Sequence, residues 1–237
     1  WKEAEIALDK AARIKALAPD RAKRDRTAVL VEESRQALAA GQVEQALTFG
    51  QKAHDLCPGS VPAAVQLARV LLAAGKGKKA AQVVETAWRL GPHPDLAAIW
   101  GDTAGSGDPL ARVKHYQTLL ALDPSTAEGH VAVATASLRA KLWGQARSHL
   151  LKARDIAPTA RIWRLLAEVE RAEHGDGPAV REMEAKQAGA EPDGAWTCTA
   201  CGTPAPEWSA VCGRCGSFDT LDWQQPGSVR APVAALK

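Results

Sequence analysis

Four cysteines stand close together near one end of the chain, in the order Cys198, Cys201, Cys212 and Cys215. Their spacing is C-x2-C, ten intervening residues, then C-x2-C, and each pair is followed by a glycine, Gly202 and Gly216. Four thiolates so spaced suit a tetrahedral ion, Zn2+ first. The glycine after each pair permits a tight turn in which backbone N–H groups face the sulfurs. A pair of disulfides is the alternative use of the same residues. Cysteine fills all four ligand positions, which leaves none for a substrate water and disfavours zinc hydrolysis. Iron in the same cage would move electrons, as in a rubredoxin. A segment of roughly 30 residues cannot bury enough surface to fold alone. Metal binding, worth about 10–16 kcal/mol in small zinc domains, supplies what is missing. Trp196, Trp208, Phe218 and Trp223 are placed to cover the site and the last helix pair.

Nothing else in the chain is arranged for catalysis, and a non-enzymatic protein is expected. The six histidines are scattered, with no H-x3-H pair, and no Ser-His-Asp order or phosphate loop stands out. The glycines of Gly101–Gly107 follow a helix, whereas a phosphate cradle follows a strand. Cys57-Pro58 has the two letters of a haem-thiolate context. Ala18, Gly91, Asp123 and Ala157 hold the same place before their prolines, so Cys57 reads as an ordinary repeat ending.

That repeat organises the rest of the chain. Leu17-Ala18-Pro19, Leu56-Cys57-Pro58, Leu90-Gly91-Pro92, Leu122-Asp123-Pro124 and Ile156-Ala157-Pro158 end successive segments, with prolines 39, 34, 32 and 34 residues apart. A period of about 34 residues built as helix, turn, helix, proline is the tetratricopeptide (TPR) pattern. With each proline set at position 32, alanine recurs at position 8 (Ala68, Ala134), position 20 (Ala46, Ala80, Ala146) and position 27 (Ala53, Ala87, Ala153). Closely crossing helices need small contact residues, and alanine costs a helix least. Ala40-Gly41-Gln42, Ala74-Gly75-Lys76 and Leu142-Trp143-Gly144 read as the turns between paired helices.

The expected fold is therefore all-α, a right-handed TPR α-solenoid over 1–190, with a small four-cysteine, rubredoxin-like zinc ribbon of short β-hairpins over 196–223. A partial first unit precedes units at about 27–60, 61–92, 93–126 and 127–160, and a final helix pair spans 161–189. The 93–126 unit is degenerate, with Trp100 at the small position 8. Trp88, Trp143 and Trp163 read as core or inter-repeat packing. Residues 21–26, Arg-Ala-Lys-Arg-Asp-Arg, lengthen the first period by five residues. They read as a solvated basic helix extension, with a phosphate or lipid surface as the functional alternative. Residues 224–237 are expected to be a disordered tail.

The first helices of TPR units line a groove. Positions 5, 9 and 12 give Val31, Arg35 and Leu38, then Val65, Arg69 and Leu72, then Val131, Thr135 and Leu138, with Arg139 following. Arginine at position 9 in two successive units points to an extended partner segment carrying a carboxylate. A solvated arginine face is the simpler use.

Composition supports a folded, water-soluble chain of one or two domains: 237 residues, 46% hydrophobic and 24% charged, with net charge +3. That balance excludes a nucleic-acid partner. No apolar run reaches the ~18 residues of a membrane span, and no signal peptide is evident. The chain opens at Trp1 inside a helical pattern, which reads as a fragment whose natural N-terminus, with any anchor there, is missing. Alanine is about one residue in five, and eight of the eleven aromatics are Trp.

Several stretches resemble HemY-type proteins of Gram-negative bacteria. They are the run from Arg26 to Arg35 (Arg-Thr-Ala-Val-Leu-Val-Glu-Glu-Ser-Arg), Val61-Pro-Ala-Ala, and Ala87-Trp-Arg-Leu-Gly-Pro-His-Pro-Asp-Leu-Ala. The resemblance covers most of residues 1–223. It implies a cytoplasmic TPR domain attached to the inner membrane by N-terminal helices absent from this chain. It also implies association with a late stage of protohaem synthesis, near the enzymes of that pathway. The ribbon, with Phe218-Asp-Thr-Leu-Asp-Trp223 after it, is similar to that ending LapB-type proteins. Those are membrane-anchored TPR adaptors that regulate lipopolysaccharide synthesis through proteolysis, which implies a membrane protease complex as an alternative partner. A porphyrin, haem or electron carrier is the remaining alternative. The flavoprotein oxidase that shares the HemY name needs a dinucleotide fingerprint, and none exists here.

Overall fold

The computed structural model describes residues 1–14, 17–105 and 107–224, without the side chains of Lys2, Asp9 and Ala12. Among the described residues it is a mostly helical, TPR solenoid-type fold of eleven α-helices, with a small three-stranded sheet at the cysteines. The chain divides into two compact units: Trp1–Val83 together with the segment from Gly194, and Val84–Asp193.

In the first unit, α1 (Lys2–Arg13) precedes the pair α2 (Pro19–Ala39) and α3 (Val43–Leu56), followed by α4 (Val61–Ala73) and the start of α5 (Gly77–Leu90). Local chemistry sets these limits. Pro19 opens α2 at a position where a missing N–H costs nothing. Ser60 caps α4, its hydroxyl accepting from the Ala63 N–H at 3.4 Å. Gly41 (φ 74°) ends α2 and Gly75 (φ 70°) ends α4. In each turn the following N–H reaches back a full turn, Gln42 to the Ala37 carbonyl and Lys76 to that of Leu71. The alanines at the crossing positions are sealed: Ala46, Ala53, Ala68 and Ala80 are each 0% exposed. Ser34 takes the small position 8 of the first repeat. It is buried, donating to the Ala46 carbonyl at 2.8 Å and accepting from Gln66 at 3.1 Å.

The second unit carries the rest of α5, then α6 (Pro94–Thr103) and α7 (Pro109–Leu120), α8 (Ala127–Arg139) and α9 (Trp143–Ile156), and α10 (Ala160–His174) and α11 (Pro178–Ala188). Its core joins Val131, Ala134, Leu138, Ala146, Leu150 and Ala153 to Ile162, Leu165 and Val169, with Trp143 and Trp163 packed against it. Trp88 is fully buried. The degenerate repeat holds Trp100 where its neighbours have alanine. The indole is 3% exposed, donates to the His115 carbonyl at 3.0 Å and stacks on the His115 ring at 4.3 Å. Arg161 grips Glu128 with two bonds of 3.0 Å, fixing α10 to α8.

One turn differs from expectation. Leu142-Trp143-Gly144 is not the α8–α9 turn, because Trp143 and Gly144 begin α9. The residue in the place of Gly41 and Gly75 is Lys141, with φ 58° and the same return bond, from the Leu142 N–H to the Ser137 carbonyl. The hairpin geometry is imposed by helix packing, so a lysine is held where a glycine would rest without strain.

The strands are β1 (Ala195–Cys198), β2 (Pro204–Ala205) and β3 (Leu221–Gln224), antiparallel in the order β2-β1-β3. Gln224, expected to start a disordered tail, instead ends β3 opposite Ala195, where ladder pairing extends one residue further. The remainder of that expected tail, 225–237, lies outside the described residues.

Candidate functional site

The two C-x2-C segments fold alike. The Cys198 N–H bonds the Thr203 carbonyl and the Gly202 N–H bonds the Cys198 carbonyl, at 2.9 and 2.8 Å. The Cys212 N–H and Ser217 carbonyl, and the Gly216 N–H and Cys212 carbonyl, repeat this at 2.9 Å each. Gly202 and Gly216 sit at φ 71° and 72°, a region that favours glycine. The four sulfurs lie within 4.8 Å of one another, with Cys198–Cys215 and Cys201–Cys212 at 3.8 Å. A disulfide needs about 2.05 Å, so these are four free thiols. A tetrahedral ion with metal–sulfur bonds of about 2.3 Å has edges of about 3.8 Å, and the cage fits one.

The surroundings act on the thiols in opposite senses, raising the pKa of Cys212 and lowering those of Cys198 and Cys215. Burial pushes the Cys198 thiol up, but the Thr220 hydroxyl and the N–H groups of Cys201 and Ala200 outweigh it and bring it down to about 6. The Ser217 side chain and backbone lower Cys215 in the same sense. Cys198 and Cys212 face inward, and Cys201 and Cys215 face solvent. An ion here would be held by all four sulfurs and would act as a cross-link between the two turns.

The apolar cover is a cluster of Trp196, Cys198, Cys212 and Leu221, closed by Ala205, Trp208, Trp223 and Val61 of α4. Trp223 meets Trp196 edge-on at 5.5 Å. Trp208 also belongs to a second cluster, packing against Leu30, Val31, Ala53 and Ala63 with Phe49 and Leu56. The ribbon therefore covers the first repeat.

Residues 21–26 are likewise engaged. Arg24 reaches Asp222 at 2.9 Å and Asp219 at 3.4 Å. Arg21 donates to the Phe218 carbonyl at 3.3 Å and pairs with Asp25 at 2.8 Å. Asp219 is 5% exposed. Burial raises its pKa, with Arg24 and Arg21 opposing. The longer first period thus extends α2 by the turns on which the ribbon docks, and the basic run is an internal contact.

The expected groove residues separate into two kinds. Val31 and Val131 are each 2% exposed and Leu138 is 9% exposed. Their helices are covered on that side by the partner helix and, for Val31, by Trp208. Leu38 packs partly buried beside Ala37, Ala46 and Val70, and Val65 and Leu72 are half-buried. The Thr135 hydroxyl donates to the Val131 carbonyl of its own helix at 2.8 Å. Arg35 points at the ribbon, donating to the Trp208 carbonyl at 3.4 Å and lying 4.0 Å from Glu207. Arg69 and Arg139 are exposed, and Arg69 bonds Gln66 at 3.3 Å.

The structure also joins His130 and His149, whose Nδ1 atoms are 2.9 Å apart. Burial lowers both pKa values, and the Lys152 ammonium acts in the same direction on each. Their 19-residue separation on different helices left no motif to read. Cys57 is a half-buried free thiol at the end of α3.

Residues 37–100 match the family described as Tetratricopeptide repeat. Over its whole length the chain is 29% identical to "Probable magnetosome protein Mms48" of Magnetospirillum gryphiswaldense, and it spans 52% of that protein. The chain thus covers about half the length of this curated relative. Among solved structures, TTC0263, a thermophilic TPR protein of Thermus thermophilus, is 18% identical with a TM-score of 0.44, covering 69% of this chain and 91% of that one. MamA is 14% identical with a TM-score of 0.43, covering 66% and 92%. No described helix is long and apolar enough to cross a membrane.

Proposed function

We propose that this protein is a non-enzymatic adaptor that gathers partner proteins on its TPR helices and uses a zinc-bound ribbon to complete its first repeat. The carrying observation is the ribbon seated on α2, where Arg35 and Glu32 already hold a backbone segment through a carbonyl and an N–H. A helix face of this chemistry suits peptide segments. The exposed Arg69, bonded to Gln66 in its own helix, is the anchor for a partner carboxylate. Zinc is the ion of choice because four thiolates in a closed tetrahedron make a structural site. Iron would give the carrier reading, with a red protein as its mark.

The HemY-type motifs support a place at the cytoplasmic face of the inner membrane, beside enzymes of late protohaem synthesis. The whole-chain similarity to a magnetosome protein supports a second reading, in which the partners are other magnetosome proteins. Affinity capture of the full-length protein from its native membrane, with Arg69→Ala as control, separates them. Haem-synthesis enzymes lost in the control favour the first reading, and magnetosome proteins the second. A membrane protease with its substrate would instead favour the LapB-like adaptor. Capture of nothing that depends on Arg69 overturns its role as the anchor.

A further inference from the structure

We propose that ribbon segment 204–211 is an intramolecular ligand of the first repeat, and that the pocket it fills also takes a short partner segment bearing an acidic residue beside an aromatic one. The segment reads Pro-Ala-Pro-Glu-Trp-Ser-Ala-Val. Pro204 and Ala205 belong to the sheet, and Ala210 and Val211 are tied to the second cysteine turn by the Asp219 N–H, which donates to the Ala210 carbonyl at 2.7 Å, and by the bridge of Val211 to Phe218; residues 206–209 lie between these anchors. The segment bends at Pro206 and Glu207 before Trp208, and its two prolines restrict the backbone, which lowers the entropy cost of docking.

The contacts have the composition of peptide recognition. One large side chain, Trp208, enters an apolar pocket of Leu30, Val31, Ala53 and Ala63, rimmed by Phe49 and Leu56. Trp208 is half-buried there, and tryptophan is among the residues that most often carry binding energy at an interface. Flanking groups hold the main chain: Arg35 Nη1 donates to the Trp208 carbonyl at 3.4 Å, and the Ala210 N–H donates to Glu32 Oε1 at 3.2 Å. Arg35 Nη2 lies 4.0 Å from the Glu207 carboxylate. Glu32 also orients Arg35, at 3.2 Å. An aromatic, the acidic residue before it and backbone polar groups are what this pocket reads, and they define the class of competing ligand.

Occupancy is linked to the metal. Trp208 is shared between the pocket and the cluster around Cys198 and Cys212. A four-thiolate ion holds that cluster together. With the ion gone, the segment becomes a flexible tether whose effective concentration at the pocket falls. The pocket then opens to a partner. This inference rests on the adaptor reading for its natural ligand, but its test does not use that ligand.

The test measures binding of a fluorescein-labelled octapeptide of sequence 204–211 by anisotropy. The samples are the zinc-loaded chain, the chelator-stripped reduced chain and zinc-loaded Trp208→Ala. Weak binding to the loaded wild type and at least tenfold tighter binding to Trp208→Ala are expected. Adding Arg35→Ala to that variant should remove the gain, and a peptide with its Trp changed to Ala should not bind. Equal binding by wild type and Trp208→Ala overturns the proposal, as does equal binding of the altered peptide. A Trp208→Ala protein that dimerises and excludes the peptide also overturns it, since the occupant is then a second copy. If chelation melts the first repeat, the zinc-loaded variant decides alone. Octapeptide binding without capture of any cellular partner would count against the adaptor reading and leave the pocket standing. Partner capture without octapeptide binding would do the reverse.

Discussion

Arg35 and Trp208 are 173 residues apart in the chain, yet the guanidinium of one donates to the carbonyl of the other at 3.4 Å. Around this bond the ribbon lies along a single stripe of α2. Arg21, Arg24, Glu32 and Arg35 recur at helical spacing, and each meets the ribbon. The ribbon thus stands as a wall of the first repeat, with Asp219 a deeply buried charge at the seam.

Arg24 is the residue on which that buried charge depends. Burial works against its own charge, but Asp219 and Asp222 outweigh this and raise its pKa. Arg24→Ala leaves Arg21, at 3.8 Å, as the remaining cation beside Asp219. We expect a loss of about 1–2 kcal/mol, more than a surface pair is worth and less than a fully buried one. Urea unfolding followed by tryptophan fluorescence measures it. Arg24→Lys should recover only part, since an ammonium cannot span two carboxylates as a guanidinium does. An unchanged midpoint for Arg24→Ala would show that water screens the seam.

The legible part of the sequence is the local part. The alanines at positions 8, 20 and 27 and the prolines that end each unit act within one helix pair, so their spacing alone gives the repeat. The cysteine pairs act within 18 residues, and their cage was equally readable. The seat of the ribbon was not, because Trp208 and Arg24 meet their partners across nearly the whole chain. A residue bound for a distant surface looks, in sequence, like one bound for solvent. The extra length of the first period was the available signal, since five added residues in a tight repeat need a partner. The depth of Val31, Val131 and Leu138 was not legible for another reason: helical spacing names a face but not how deeply the neighbouring helix covers it.

The cage should hold one ion per chain. Zinc analysis by elemental emission is expected to give close to one equivalent, falling to near zero in Cys198→Ser. Cobalt loading should produce the intense visible bands of a tetrahedral thiolate site. Loss of the ion is expected to speed amide exchange in 195–224 and along α2, where the ribbon is seated, and to leave 84–193 unchanged. Exchange confined to the ribbon would show that it docks without supporting the repeat.

Lys141→Gly is expected to stabilise the second unit. Lys141 holds φ 58° at the place where Gly41 and Gly75 serve the other hairpins. A side chain there costs about 1–2 kcal/mol, partly offset by the greater freedom of glycine in the unfolded chain. The net gain should be about 0.5–1 kcal/mol, read as a higher thermal midpoint. A fall would mean that the Lys141 side chain makes a contact worth more than the strain.

Acid should weaken the second unit through His93. This residue caps α6: its Nδ1 accepts from the Asp95 N–H at 3.1 Å, which requires that nitrogen to be unprotonated. Burial lowers its pKa to about 4, with the Asp95 carboxylate opposing. In the unfolded chain the ring titrates near 6.5. Between these values the unfolded state binds the extra proton, so stability is full above about 6.5 and declines as pH falls toward 4. His115, His130 and His149 are shifted in the same direction by burial and add to the slope. Asparagine caps helices well and does not titrate. The urea midpoint of His93→Asn should therefore fall less than that of the wild type between pH 7.5 and 5. Equal slopes for the two proteins would assign the acid sensitivity to the other histidines.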